Sequence, residues 1–270
     1  MNQAKRLAKR IILFLVFLAF LILLFLVGYL FLKPEPTCSD GIQNQGEKGV
    51  DCGGPCAPCA LVIETKEIEV LGAEFVSSTE GNFDVVVKVK NPNDLIGAKN
   101  FTLKVIFLDE NGLVLGEIEK KDGFALPKEE KQVLIYGAKT LGMPFSVQAK
   151  IENVSWEKFS QYETPRFVII NKNYQKLSGG SAWFSQARGT LVNRSGIDFE
   201  TVSVNVILRD ESGKLLAINH QIINTITSGE QRDFVASFPV SFEGEVASFE
   251  TQVETNVFDS ENYIRVYGGE

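Results

Sequence analysis

All four cysteines of the 270-residue chain fall between positions 38 and 59, in the run CSDGIQNQGEKGVDCGGPCAPC with spacing C-x13-C-x3-C-x2-C. Cysteine at that density serves one of three chemistries: disulfide stapling, zinc ligation or thiol redox exchange. So short a segment cannot bury a core of its own, so staples must hold it. In an oxidising compartment the default is two disulfides among Cys38, Cys52, Cys56 and Cys59, and the count alone leaves the pairing open. Cys56 and Cys59 sit so close in sequence that a mutual bridge would be strained, which favours the crossed pairings with Cys38 and Cys52. A four-thiolate zinc site requires a reducing compartment. The CxxC of Cys56 and Cys59 lacks the strand-then-helix setting that lowers a thiol pKa in redox motifs.

Between the cysteines stand Asp40, Asn44, Glu47 and Asp51, spaced 4, 3 and 4 apart and interleaved with Gly41, Gly46 and Gly49. Oxygen ligands at short intervals in a glycine-punctuated loop suit Ca²⁺, a hard cation that gathers many oxygens, although no EF-hand spacing is met. The same residue types dominate ordinary turns, where carboxylates cap backbone N–H groups. Both readings stand at this level. The pattern DGIxNxxExxVDCGGxCxxC, carried by Asp40 to Cys59, resembles a short Cys-rich module of secreted and surface proteins. That resemblance implies an extracellular setting and no reaction.

Elsewhere the chain offers little for catalysis. GxSxG, Walker A, GxGxxG and HExxH patterns are absent from the sequence. His220 is the single histidine, so neither a multi-histidine metal site nor an imidazole relay can form. Ser178-Gly179-Gly180-Ser181 is a loop composition with no phosphate-binding Lys or Thr after it. Trp156 and Trp183 could stack on a glycan, but sandwich ends use tryptophan as filler. Asn100, Asn153 and Asn193 open N-glycan sequons, which matter only in a host that glycosylates Asn. The expectation is a non-enzyme, with an extracellular hydrolase as the weakest alternative.

The elements that must carry these residues begin with Ile11–Leu32, 22 residues without a charge or a proline. As a helix this run spans about 33 Å, enough for a hydrocarbon core of about 30 Å. It is too long for a cleaved leader, and Leu30 to Lys33 offers no small-x-small cleavage site. Lys5, Arg6, Lys9 and Arg10 precede it, so residues 1–10 form a cytoplasmic basic tail and everything after residue 32 lies outside the plasma membrane. The chain carries −7 overall and therefore −11 over residues 33–270, a balance that argues against a nucleic-acid partner. Residues 33–60 are a Pro-rich spacer followed by the Cys-rich module.

From there the sequence is mostly β. Phe83, Val85, Val87 and Val89 alternate with Asp84, Lys88 and Lys90, and Phe101, Leu103, Val105 and Phe107 keep the same period. An internal repeat follows. FTLKVIFLDENGLVLGEI from Phe101 aligns with VSVNVILRDESGKLLAIN from Val202. Val89-Lys90-Asn91 aligns with Leu191-Val192-Asn193, Glu130 with Glu230, and Val147-x-Ala149-x-Ile151 with Phe249-x-Thr251-x-Val253. The offset stays between 100 and 102. The expected architecture is two tandem immunoglobulin-like β-sandwiches, residues 61–160 and 165–265, with DENG and DESG as hairpin turns.

Val87 to Asn93, ending in Asn-Pro-Asn, followed by Phe107-Leu108-Asp109-x-x-Gly112, resembles the late-embryogenesis-abundant type 2 β-sandwich and the related FxLYD domain. The second copy keeps Asn193-Arg194-Ser195 and Asp210-x-x-Gly213 but lacks the proline. The resemblance implies sandwich modules on the outer side of a membrane and transfers no catalytic residue. The function expected from all this is a membrane-anchored surface protein that presents two sandwiches for structure or binding. The alternative is an envelope assembly or secretion accessory acting through strand edges. The expected partners are the lipid bilayer and another envelope or surface protein.

Overall fold

The computed structural model describes residues 3–32, 38–57, 65–178 and 181–263. The chain divides into two compact units, Met1–Glu64 and Thr65–Glu270. In the first, α1 spans Gln3–Leu32. It starts well before the apolar run, because Lys, Arg, Ala and Leu are all good helix formers and no Gly or Pro interrupts residues 3–10. Its Lys9–Tyr29 stretch, with a mean hydropathy of 3.4 and none of it buried by protein, is long and apolar enough to cross a membrane. The Pro-rich spacer and Cys59 lie outside the described residues.

Among the described residues the second unit contains twelve strands: β1 Glu69–Ser77, β2 Phe83–Lys90, β3 Ile96–Leu108, β4 Val114–Ala125, β5 Glu130–Ala138, β6 Ser146–Lys158, β7 Phe167–Lys176, β8 Ser185–Asn193, β9 Phe199–Arg209, β10 Leu215–Ile226, β11 Gln231–Phe238 and β12 Ser248–Glu254. They form four antiparallel three-stranded sheets, β1-β2-β5 with β4-β3-β6, and β7-β8-β11 with β10-β9-β12. The two pairs of sheets have the same connectivity, so the sequence repeat is a structural one. Each pair closes over its own core. Val85, Val87, Val89, Leu103, Val105 and Phe107 fill the first, and Leu191, Val202, Val204, Val206 and Leu208 the second.

Register places the aligned residues as the repeat requires. Leu103, Val105 and Phe107 face Ile151, Ala149 and Val147, as Val204, Val206 and Leu208 face Val253, Thr251 and Phe249. One pairing needs correction. Glu129, not Glu130, is the counterpart of Glu230. Glu129 Oε2 accepts from Leu126 N at 2.7 Å while its carbonyl accepts from Asn91 N, and Glu230 repeats both contacts with Thr227 N and Asn193 N. The two glutamates stand side by side in sequence, so only the hydrogen bonds choose between them.

Asn91 and Asn193 explain why a strand-ending Asn recurs. Both are fully buried. Asn91 donates to the carbonyls of Ile96 and Leu126 and accepts from Asn93 N. Asn193 donates to Ile197, Ile226 and Thr227 and accepts from Ser195 N. Each amide thus satisfies loop carbonyls at the end of its sandwich, which burial would otherwise leave unpaired. The residue two places on ties in the arriving chain: Asn93 pairs with both backbone groups of Lys66, and Ser195 Oγ accepts from Arg166 N at 2.7 Å.

The DENG and DESG hairpins are closed as expected. Asp109 Oδ1 accepts from Leu113 N and Asn111 N, Asp210 Oδ1 from Ser212 and Lys214, and Gly112 and Gly213 take φ of 81° and 83°. These donors favour the ionised form and hold both carboxyls below the usual range, Asp109 chiefly through Leu113 N and Asp210 chiefly through the Ser212 hydroxyl. Both acids serve to close their turns.

Candidate functional site

In the membrane-helix unit, Cys38 and Cys56 form a disulfide with a Cα–Cα distance of 5.5 Å, and Cys52 is also disulfide-bonded. Cys38–Cys56 is one of the crossed pairings. Gly53 and Gly54 adopt φ of 77° and 62°, and a Cβ at Gly54 would come 2.5 Å from Gly46 O, so the CGG step admits no side chain there.

The four candidate calcium ligands act within this knot as hydrogen-bonding groups. Asp51 accepts from Gly41 N through both oxygens at 3.1 and 3.0 Å, and Asp40 accepts from Ile42 N and Asn44 Nδ2, each at 2.9 Å. Buried Glu47 accepts through Oε2 from Asn44 N and Asp51 N. Its Oε1 lies 3.0 Å from Cys56 Sγ, a disulfide sulfur with no proton to donate. Among the described residues, the potential metal-ligating atoms that converge are those of Cys38, Glu47 and Cys56, and two of these are disulfide sulfurs. As folded, the three acids accept backbone hydrogen bonds that close the turns of the knot.

In the β unit, the two sandwiches meet through sheet faces that alternation alone marks as outward. Val86 and Leu134 of the first pack on Ile207, Leu215 and Ile218 of the second. Around this apolar patch Arg209 grips Glu74 with two 2.8 Å hydrogen bonds and reaches Glu250 at 3.3 Å. Gln132 and Gln252 exchange backbone-to-amide hydrogen bonds of 2.7 and 2.9 Å. At the far rim Phe258 lies against Gly97, with its ring 6.0 Å from Phe159 and 5.0 Å from Tyr162.

Beside this contact opens a cleft of about 740 Å³, lined by β4, β5, β9, β10 and the segment after β12. Lys131, only 3% exposed, pairs there with Glu254 at 2.9 Å and lies over the Phe124 ring at 3.7 Å. Asn205 donates to the other oxygen of Glu254 at 2.6 Å. His220 also lines the cleft, its ring 4.9 Å from that of Tyr136. Burial, with a smaller contribution from Lys120, pushes the His220 pKa down and keeps the imidazole neutral near neutral pH. Burial likewise pushes the Tyr136 phenol up. His220 thus has an aromatic neighbour where a catalytic base would have a carboxylate.

An exposed apolar group stands at one end of the first sandwich. Leu141 is 92% exposed, Met143 and Phe145 72%, Leu113 66% and Val114 51%. Two backbone hydrogen bonds seat the Leu141–Phe145 loop beside the DENG hairpin, Leu141 N to Leu115 O and Phe145 N to Leu108 O. The chain joins β1 at the opposite end, where Glu69 pairs with Lys90. In the second copy Lys214 replaces Leu113, and Phe242 packs on Phe184. The apolar tip therefore belongs to one copy only.

A second opening, of about 370 Å³, separates β7 from β12 and is lined by Phe167, Ile169, Lys172, Thr251 and Val253. A bulge between Ile170 and Asn173 interrupts the edge strand β7 there. Of the three sequons, Asn193 is fully buried with its amide committed, whereas Asn100 and Asn153 are exposed. Trp156 packs on the first core and Trp183 is 44% exposed. Residues 179 and 180 of the SGGS loop lie outside the described residues.

No family model matches the chain, and no curated protein matches it. Among solved structures, an anti-sigma factor domain-containing protein aligns at 13% identity with a TM-score of 0.18, covering 69% of this chain and 88% of its own. A likeness at that TM-score carries no argument about function.

Proposed function

We propose that this is a single-pass, membrane-anchored surface protein whose two sandwiches sit on the outer side and bind another envelope protein without catalysis. The observation that carries the proposal is the tip formed by Leu113, Val114, Leu141, Met143 and Phe145, an exposed apolar cluster fixed to a rigid hairpin. Contiguous apolar surface of this kind is normally covered by a partner. The tip lies at the end of the first sandwich opposite the start of β1, and an apolar socket on the partner would cover it. The α1 helix supplies the anchor, and the basic residues before it support a cytoplasmic N-terminus. Kinship of the sandwiches with the late-embryogenesis-abundant type 2 and FxLYD domains belongs to the same proposal and rests on their Asn and Asp-x-x-Gly motifs. The accessory role through strand edges is favoured by one observation, the opening between β7 and β12.

A photocrosslinking amino acid placed at Phe145, and separately at Ile169, in the full chain in its native cells distinguishes the two. Binding through the tip predicts an adduct with an envelope protein from position 145, abolished by Leu141→Ser with Met143→Ser. An adduct from position 169 alone would favour strand addition. Adducts from neither would overturn both.

A further inference from the structure

The cleft between the sandwiches holds an amine, a carboxamide and a carboxylate in one buried network. Lys131 Nζ lies 2.9 Å from Glu254 Oε2, and Asn205 Nδ2 lies 2.6 Å from Glu254 Oε1. One carboxylate thus bridges the lysine of β5 and the asparagine of β9. Lys131 is 3% and Asn205 7% exposed. The Phe124 ring covers the amine at 3.7 Å, and the Ser203 hydroxyl donates to Asn205 Oδ1 at 3.3 Å. Neither residue is inherited from the repeat. Arg232 stands in the second copy where Lys131 stands in the first, and Lys104 of the first where Asn205 stands in the second; each counterpart is partly exposed and forms a salt bridge within its own sandwich. The amine and the amide share the Glu254 carboxylate only where the two sandwiches meet.

We propose that Lys131 and Asn205 are joined by an intramolecular isopeptide bond formed with Glu254 as the catalytic acid–base, covalently locking the two sandwiches. The Lys131 ammonium gives a proton to Glu254, which frees the nitrogen lone pair. The amine attacks Cγ of Asn205, and the Ser203 hydroxyl steadies the oxyanion. Glu254 then protonates the departing nitrogen, the Cγ–Nδ2 bond breaks, and ammonia leaves through the open cleft. The attacking nitrogen returns its remaining surplus proton to Glu254. One C–N bond forms and one breaks, so no oxidant, reductant or cofactor is needed. Gln252 also contacts Glu254 Oε1, at 2.5 Å, but both ends of its amide are held by the Gln132 backbone. Asn205 is therefore the electrophile.

Intact-mass spectrometry of the purified, reduced full chain decides the matter, with Lys131→Arg measured alongside as the unlinked reference. The wild type should fall below its sequence mass by one ammonia, and a digest should yield a branched peptide joining residue 131 to residue 205. Glu254→Gln should restore the full sequence mass. A wild type at full sequence mass, a branch at Gln252, or a deficit that persists in Lys131→Arg would each overturn the proposal. The wild-type measurement is decisive even if a variant fails to fold.

Discussion

Asn193→Ala should lower the stability of the β unit by about 3 kcal/mol, because it strips partners from several buried backbone groups at once. The fully buried amide donates to the carbonyls of Ile197, Ile226 and Thr227, and its oxygen accepts from Ser195 N. Alanine supplies none of these contacts, and water cannot enter the space without disturbing the loops that the asparagine gathers. The exposed Asn100 gives the contrast: Asn100→Ala should change stability by less than about 0.5 kcal/mol. Denaturant unfolding of the full chain, followed by tryptophan fluorescence, measures both. A loss below about 1 kcal/mol for Asn193→Ala would show that these loops are held by something other than the amide.

Phe258→Ala should cost about 3–5 kcal/mol, the range for emptying a buried aromatic site. Phe258 is 5% exposed and belongs to the core of the second sandwich, yet its ring lies on Gly97 of β3 and against Phe159 and Tyr162 of the connection between the sandwiches. Truncation removes apolar contact from both sides of the junction, so the effect should extend beyond stability. Limited proteolysis should begin to cut the 160–166 connection. The close approach works in both directions: a Cβ on Gly97 would stand 2.3 Å from the Phe258 ring. Wild-type stability together with an uncut connection would mean that the junction is held without Phe258, by the Val86–Ile207 patch and the Arg209 and Gln252 contacts.

The sandwich cores were legible in the sequence because core strands alternate, and the repeat could be read because each sandwich needs the same Asn at one end and the same Asp-x-x-Gly turn at the other. The contact between sandwiches left a weaker trace. Val86 stands among Asp84, Lys88 and Lys90 on the face that alternation marks as polar, and Ile207 does the same beside Val206 and Leu208; both pack in the contact. Period-2 reasoning describes one face at a time, so an apolar residue on the second face looks like noise until a partner sheet covers it. Lys131 gave no signal. In a strand end beginning Glu-Lys-Gln it resembles a solvated lysine, and only the tertiary packing of Phe124 and Glu254 buries it. The apolar tip was visible as Leu-Gly-Met-Pro-Phe, but exposure is a property of the folded surface. In the Cys-rich module, composition left both calcium ligation and turn capping open, and Asp40, Glu47 and Asp51 each accept backbone hydrogen bonds within the knot.

The proposal that Thr65 to Glu270 faces the outside rests on a helix that is apolar enough to span a bilayer and on the cations before it. The direct measurement is reaction of intact cells with a membrane-impermeant amine reagent, followed by mass spectrometry of Lys121, which lies exposed on β4. An outward-facing β unit predicts full modification of Lys121 before lysis. Modification that appears only once the cells are broken would place the sandwiches in the cytoplasm and contradict the account.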